Sequence, residues 1–169
     1  VMLLVETNGV YSDTMRLKKL LDDVDSKAVG ALWDMHHPYR YMNESASVTT
    51  SNLGNYIRFV HVKDSAVENG KLVYKLMGEG DMPLHEMFSA LQKIGYTGYV
   101  SLEWIKRWSR DLYAAGIVFP QFARYMKPYI IAEKSRLQVD DRGTGYYPWP
   151  KETIINETFP DVLDRICEE

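Results

Sequence analysis

Four short apolar runs in this chain of 169 residues each carry, at or just after their C-terminal end, a side chain that can bind a metal ion or move a proton. The runs lie at residues 2–5, 29–33, 57–62 and 99–102. The side chains are Glu6, Asp34, His61 and Glu103. They follow one another at intervals of 28 (6 to 34), 27 (34 to 61) and 42 (61 to 103) residues, and each interval suits one strand–helix unit. In a parallel sheet, such units would bring the four side chains to one edge.

Three carboxylates and one imidazole form a mixed oxygen and nitrogen donor set, which favours Mn²⁺, Mg²⁺ or Co²⁺ over Zn²⁺. A divalent ion can hold a hydroxy-ketone through both oxygens and stabilise the enediolate that forms when the adjacent carbon loses a proton. Glu6 and Glu103 could remove and return that proton from opposite sides. The alternative is that each acidic residue only caps a helix or lies in a loop, but four strand ends in succession with an ionisable residue, one of them a histidine, favour a site.

The elements that must position these residues are strands alternating with helices. The sequence predicts strands at residues 2–7, 28–34, 57–64 and 99–102, and helices at 13–24, 49–56, 83–94 and from 116 through 126. It also predicts a polar loop that contains His36 and His37, a hairpin arm at 71–76, a cap at Asp13 and a bend at Pro128. This alternation indicates an α/β fold with a parallel sheet. Four units make half of a (β/α)8 barrel, which typically takes about 250 residues.

Composition excludes several classes of function. The net charge of −3 and a pI near 5.8 show no overall attraction for nucleic acid or for an anionic membrane. Cys167 is the only cysteine, so an internal disulfide or a cysteine metal cluster is impossible, which fits a cytoplasmic location. No apolar run approaches the roughly 20 residues that span a bilayer.

The chain begins inside an apolar run, and we therefore expect a fragment of a longer protein, cut near a strand. Residues 1–135 are predicted to form the half-barrel domain. Residues 136–169 are predicted to be a linker followed by the start of another domain, because turn formers and aromatic residues dominate its first part.

Five motifs together resemble the C-terminal half of the xylose isomerase-like TIM barrels, a superfamily of sugar isomerases and epimerases, inosose dehydratases and apurinic-site endonucleases. They are Glu6 after its strand, Trp33-Asp34-Met35-His36-His37, His61-Val62-Lys63-Asp64, Gly78-Glu79-Gly80 and Ser101-Leu102-Glu103. The resemblance covers about residues 1–128. It implies that Glu6, Asp34, His61 and Glu103 are metal ligands and that Glu6 and Glu103 also form the acid–base pair. It further implies that His37 contacts the substrate and that Lys63 lies near substrate oxygens.

The function that this resemblance implies is a divalent-metal-dependent isomerase or epimerase of a small sugar or polyol. Three alternatives stay open: an inosose-type dehydratase with the same ligands, an apurinic-site endonuclease and a non-catalytic sugar-binding domain. The endonuclease is less favoured because that branch uses three zinc ions and additional histidines, whereas this chain has four histidines in all. The family's N-terminal four units are absent, so we expect the fragment to form a homodimer or to need the missing half. Whether it is active alone is left open.

The remaining candidates have plainer interpretations. We expect His36 and His85 to face water, residues 78–80 to form a turn, since no Lys-Ser or Lys-Thr follows them, and the basic segment 106–110 to be a solvated loop at the site rim. That loop could still bind a phosphorylated sugar. Residues 147–163 resemble the approach to the first helix of acyl-adenylate-forming ligases, and Cys167 is assigned no chemistry.

Overall fold

A computed structural model describes residues 1–134, which are built around a four-stranded parallel sheet. The strands are β1 (Leu3–Glu6), β2 (Val29–Asp34), β3 (Ile57–Val62), β4 (Asp64–Glu68), β5 (Lys71–Lys75) and β6 (Val100–Leu102). The helices are α1 (Thr14–Val24), α2 (His36–Met42), α3 (Ala46–Leu53), α4 (Leu84–Lys93) and α5 (Ala115–Lys134). The sheet has the order β1-β2-β3-β6, and β4 and β5 form a separate antiparallel hairpin.

The helix boundaries follow from local sequence. The Asp13 carboxylate accepts hydrogen bonds from the backbone N–H groups of Met15 and Arg16, both at 3.1 Å, and so caps α1 as predicted. The helix ends at Val24, and the next residue, Asp25, adopts a left-handed conformation with φ 43°. Ser45 caps α3 by accepting from the N–H of Val48.

The strands present two different faces, because successive side chains of a strand point to opposite sides. We call the first the helix face; it includes Ala31, Trp33, Val60 and Val62, which are 0–1% exposed. Helix α1 contacts β2, and the helices pack in the order α1, α3, α4. We call the opposite side the site face; it carries Leu4, Leu32 and Phe59, all of intermediate exposure.

The α/β class and the parallel sheet are confirmed, and the arrangement is consistent with part of a TIM barrel. The predicted polar loop after β2 is wrong, since residues 36–42 form α2. Two features explain this helix: the Asp34 carboxylate accepts from the N–H of His36 at 2.9 Å, and Pro38 lies in the first turn, where proline is tolerated. The third strand ends at Val62 rather than at 64, because Asp64 begins the hairpin.

The described residues divide into a unit at Val1–Tyr125 and the beginning of a second unit at Met126. Helix α5 continues past Pro128. The predictions for 136–169, including the linker, the ligase resemblance and Cys167, fall outside the described residues. Within residues 1–134, no helix combines the length and apolar character needed to cross a membrane.

Candidate metal centre

The four predicted ligands lie together at the carboxyl ends of the parallel strands. Glu6 and Asp34 are the last residues of β1 and β2, His61 is next to last in β3, and Glu103 directly follows β6. One donor atom from each side chain lies within 4.8 Å of the donor atoms of the other three. Oxygen and imidazole donors at such spacing fit a divalent cation, so the site could hold one.

Thr7 fastens the ends of β1 and β2 to each other. Its hydroxyl donates to the backbone carbonyl of Asp34 at 3.1 Å and accepts from the N–H of Asp34 at 2.9 Å, and the residue is fully buried. The carbonyl of Thr7 is 3.1 Å from Nδ1 of His37. Sequence reasoning missed Thr7, because a threonine after a strand is too common to attract notice.

Glu6 and His61 form one pair within the centre. Nδ1 of His61 lies 3.2 Å from Oε1 of Glu6, and both side chains are about one-quarter exposed. Their hydrogen bond lowers the pKa of Glu6 and raises the pKa of His61. The pair therefore exists as carboxylate and imidazolium at mildly acidic pH.

Lys63 forms the second pair of contacts in the centre. Its Nζ donates to Oδ2 of Asp34 and to Oε2 of Glu103. The side chains of Lys63 and Asp34 are 2% and 0% exposed, and that of Glu103 is 34% exposed. Burial raises the pKa of Asp34. Burial also acts to raise the pKa of Glu103, but hydrogen bonding with Asp34 and Lys63 outweighs it and holds that pKa at about 2.

The two adjacent histidines have different surroundings. His37 is 8% exposed, and its Nε2 lies 3.6 Å from Oδ2 of Asp34, so it stands beside the centre. The prediction that His36 faces water is wrong: it is fully buried, its Nε2 is 3.0 Å from Oγ of Ser65, and its ring stacks on Tyr74 at 5.6 Å. Burial lowers the pKa of His36 to about 3, so this imidazole is neutral at physiological pH.

The turn at residues 78–80 binds a side chain of this protein. One oxygen of the Asp64 carboxylate accepts from the N–H groups of Gly78 and Gly80 at 2.8 and 3.0 Å, and the other accepts from Ser65 at 2.8 Å. A Cβ at Gly80 would lie 2.2 Å from the carboxylate, so a larger residue would displace it. The predicted turn is confirmed, and Asp64 ties it to the residues that follow β3.

The remaining candidates lie at the surface, as predicted. His85 is exposed on α4. In the loop after β6, Trp108 is 79% exposed, and the ammonium of Lys106 donates to the carbonyl groups of Arg110 and Leu112 in the same loop. These contacts agree with a solvated loop.

Comparisons with known proteins agree with this architecture. A family model described as xylose isomerase-like TIM barrel matches residues 1–120. No curated protein matches the chain. The solved structure of an L-ribulose 3-epimerase is similar with a TM-score of 0.62 and 14% sequence identity, over 89% of this chain and 52% of that one.

Two further solved structures are similar in the same way. A xylose isomerase domain protein from Planctomyces limnophilus gives a TM-score of 0.54 and 20% identity, over 80% of this chain and 45% of that one. A D-allulose 3-epimerase from Methylomonas sp. gives a TM-score of 0.52 and 18% identity, over 81% of this chain and 49% of that one. At these identities the likeness concerns the fold alone. The chain spans about half the length of the solved structures that it matches.

Proposed function

The chain belongs to the family of xylose isomerase-like TIM barrels, and on that premise we propose that it is part of a divalent-metal-dependent isomerase or epimerase of a small sugar or polyol. The observation that carries this proposal is the convergence of Glu6, Asp34, His61 and Glu103 at the carboxyl edge of the sheet. This edge is where barrels of this class build their active sites. The names of two similar structures, L-ribulose 3-epimerase and D-allulose 3-epimerase, support a sugar as the substrate.

In this proposal the four converging side chains hold the metal. A bound divalent ion, preferably Mn²⁺, Mg²⁺ or Co²⁺, would act as a Lewis acid toward the substrate's carbonyl and hydroxyl oxygens. Thr7 keeps the ends of β1 and β2 in register, and Asp34 is therefore held by its backbone as well as by its side chain.

The proton transfers are assigned to Glu6 and Glu103. These residues lie on β1 and at the end of β6, the two outer strands of the sheet, with β2 and β3 between them. They can therefore approach a substrate carbon from opposite sides. Because the pKa of each is lowered, both are carboxylates at neutral pH, and either can accept the proton that leaves the carbon next to the carbonyl. The other residue takes up a proton from water and delivers it to the opposite face, which inverts that carbon, and the first residue then releases its proton to water.

His37 and Lys63 are assigned to the substrate. His37 lies beside Asp34 on α2, and Lys63 follows the His61 strand end, so both are close to any molecule that reaches the centre. Their N–H groups match the carbonyl and hydroxyl oxygens of a sugar.

We further propose that a second half-barrel completes the pocket. It would be either another copy of this chain or an N-terminal half belonging to the same protein. Support comes from the site face, whose apolar residues Leu4, Leu32 and Phe59 stay partly exposed, and from β1 and β6, which have no outer strand partner among residues 1–134. Light scattering tests the first version: a uniform monomer in solution would contradict the homodimer.

The decisive experiment measures proton exchange. The protein that contains this chain is incubated with Mn²⁺ in D₂O with L-ribulose, D-allulose or D-fructose, and deuterium at the carbon next to the carbonyl is followed by NMR. We expect exchange in the wild type, a loss of about 10²–10⁴-fold in Glu103→Gln, and normal exchange in the exposed control Glu86→Gln. Unchanged exchange in Glu103→Gln would exclude the acid–base role, and a wild type that exchanges none of these ketoses would contradict the proposed function.

A further inference from the structure

Lys63 is a buried cation placed among the proposed metal ligands. Its ammonium donates to both Asp34 and Glu103, and its side chain is 2% exposed. Lysine is rarely buried to this extent unless it is paired. Two of the four proposed ligands therefore already have a positive partner supplied by the chain.

This partner stabilises the centre when no ion is bound. Asp34 is completely buried, and a carboxylate in that position is costly unless a positive charge or hydrogen-bond donors compensate it. The ammonium of Lys63 and the N–H of His36 both donate to the Asp34 carboxylate, whereas Nε2 of His37 lies 3.6 Å away. Removal of Lys63 would leave the carboxyl groups of Asp34 and Glu103 next to each other without this positive partner.

A divalent ion would use the same two carboxylates. It needs their lone pairs, which Lys63 engages, and it would face a positive charge at short range if the ammonium stayed in place. The ion and the ammonium therefore compete for these two carboxylates.

We propose that Lys63 is a built-in competitor of the metal: its ammonium holds Asp34 and Glu103 in the metal-free protein and leaves them when a divalent ion binds. This inference rests on the proposed four-ligand site. The measured free energy of metal binding is then the free energy of the metal–ligand contacts minus that of the Lys63 contacts that the metal displaces. The same residue becomes available to substrate oxygens only after the metal has bound.

The chain offers a matched control for this proposal. Lys75 on β5 forms an ion pair of 2.6 Å with Glu68, and both side chains are more exposed than that of Lys63. Lys63→Met and Lys75→Met each remove one ammonium group and keep an unbranched side chain of similar length. A general effect of net charge would appear in both variants, whereas competition at the centre would appear only in Lys63→Met.

The test combines calorimetric titration with Mn²⁺ and thermal unfolding with and without Mn²⁺, on the protein that contains this chain. We expect Lys63→Met to bind Mn²⁺ at least tenfold more tightly than the wild type and Lys75→Met to bind as the wild type does. The melting temperature of Lys63→Met should fall in EDTA and should match or exceed the wild type in saturating Mn²⁺. The two readouts must agree, because a ligand that binds the folded state stabilises it by an amount that grows with the logarithm of its affinity. Should Lys63→Met not fold in EDTA, Lys63→Gln provides the same comparison.

A fourth variant, His61→Ala, separates the two proposals. If His61→Ala loses Mn²⁺ binding and Lys63→Met binds Mn²⁺ no more tightly than the wild type, the four-ligand site is supported and the proposed competition is wrong. Equal destabilisation of Lys63→Met in EDTA and in Mn²⁺ would overturn the competition in the same way. If neither the wild type nor Lys63→Met binds Mn²⁺, or if His61→Ala binds it normally, the proposed function fails and this inference fails with it.

Discussion

The two faces of the parallel sheet are built by the same strands and differ in almost every physical property. On the helix face, side chains such as Trp33 and Val60 are apolar and almost completely buried. On the site face, Glu6 and His61 are charged or polar and partly exposed, and the apolar Leu32 is only half-buried. The helix face is part of the buried hydrophobic core and contributes to stability. The site face keeps ionisable groups near each other at a cost in stability, which is typical of functional surfaces.

The largest expected change in the free energy of unfolding comes from a substitution on the helix face. Trp33→Ala should destabilise the protein by about 3–5 kcal/mol, because it leaves a large cavity at a position that is 1% exposed. Urea unfolding followed by circular dichroism measures this. The matched control is Trp108→Ala, which truncates a residue that is 79% exposed and should change the free energy of unfolding by less than about 0.5 kcal/mol. Equal effects of the two substitutions would mean that the helix face is not the main source of stability.

Thr7 links the carboxyl ends of β1 and β2, and its replacement should have an intermediate effect. Thr7→Val keeps the shape but removes the hydroxyl that bonds the backbone N–H and carbonyl of Asp34, and it should cost about 1–3 kcal/mol. Mn²⁺ affinity should also fall, because Asp34 loses its support. Thr7→Ser retains the hydroxyl and should restore the affinity. A Thr7→Val variant that binds Mn²⁺ as the wild type does would show that the hydrogen bonds of Thr7 with Asp34 do not position the metal ligands.

The smallest expected effect is a pH dependence on the site face. The pKa of His61 is raised from 6.5, so its contribution to stability is complete below pH 6.5 and is lost as pH rises through the raised value. The pKa of Glu6 is lowered from 4.5, so its contribution is complete above pH 4.5 and is lost as pH falls through the lowered value. The pair therefore stabilises the metal-free protein most between about pH 4.5 and 6.5, by less than about 1 kcal/mol for so exposed a pair.

Free energies of unfolding measured in EDTA between pH 5 and 9 check this dependence. The decline above pH 6.5 should be weaker in His61→Gln, which cannot become charged. If His61→Gln shows the same decline as the wild type, another group is responsible.

The sequence was sufficient to predict the four strands of the parallel sheet, although it placed the end of the third strand two residues too late. Each strand is a short apolar run, and a buried run that stops at an ionisable residue predicts both a strand and the edge at which it ends. The convergence of Glu6, Asp34 and Glu103 followed from parallel topology, since right-handed connections place all the carboxyl ends on one side. The roles of these residues in catalysis stay predictions.

The sequence was not sufficient where contacts join distant segments. The burial of His36 depends on Ser65 and on Tyr74 from β5, so local patterns predicted an exposed imidazole. The bonds from Gly78 to Asp64 and from Lys63 to Glu103 also link segments whose relation is visible only in three dimensions.

The placement of Glu6 and Glu103 on opposite outer strands has a consequence for the curvature of the sheet. Four strands that lie about 4.8 Å apart would separate the two outer backbones by roughly 14 Å in a flat sheet. Their donor atoms nevertheless lie within 4.8 Å of each other, so the reach of the two side chains and any bend of the sheet together close that distance. The pairing of β2 with β3 is irregular between Ala31 and Leu32, and such irregularities increase bending and twist. The distance between the two glutamates is therefore set by how strongly the sheet bends as well as by the reach of their side chains.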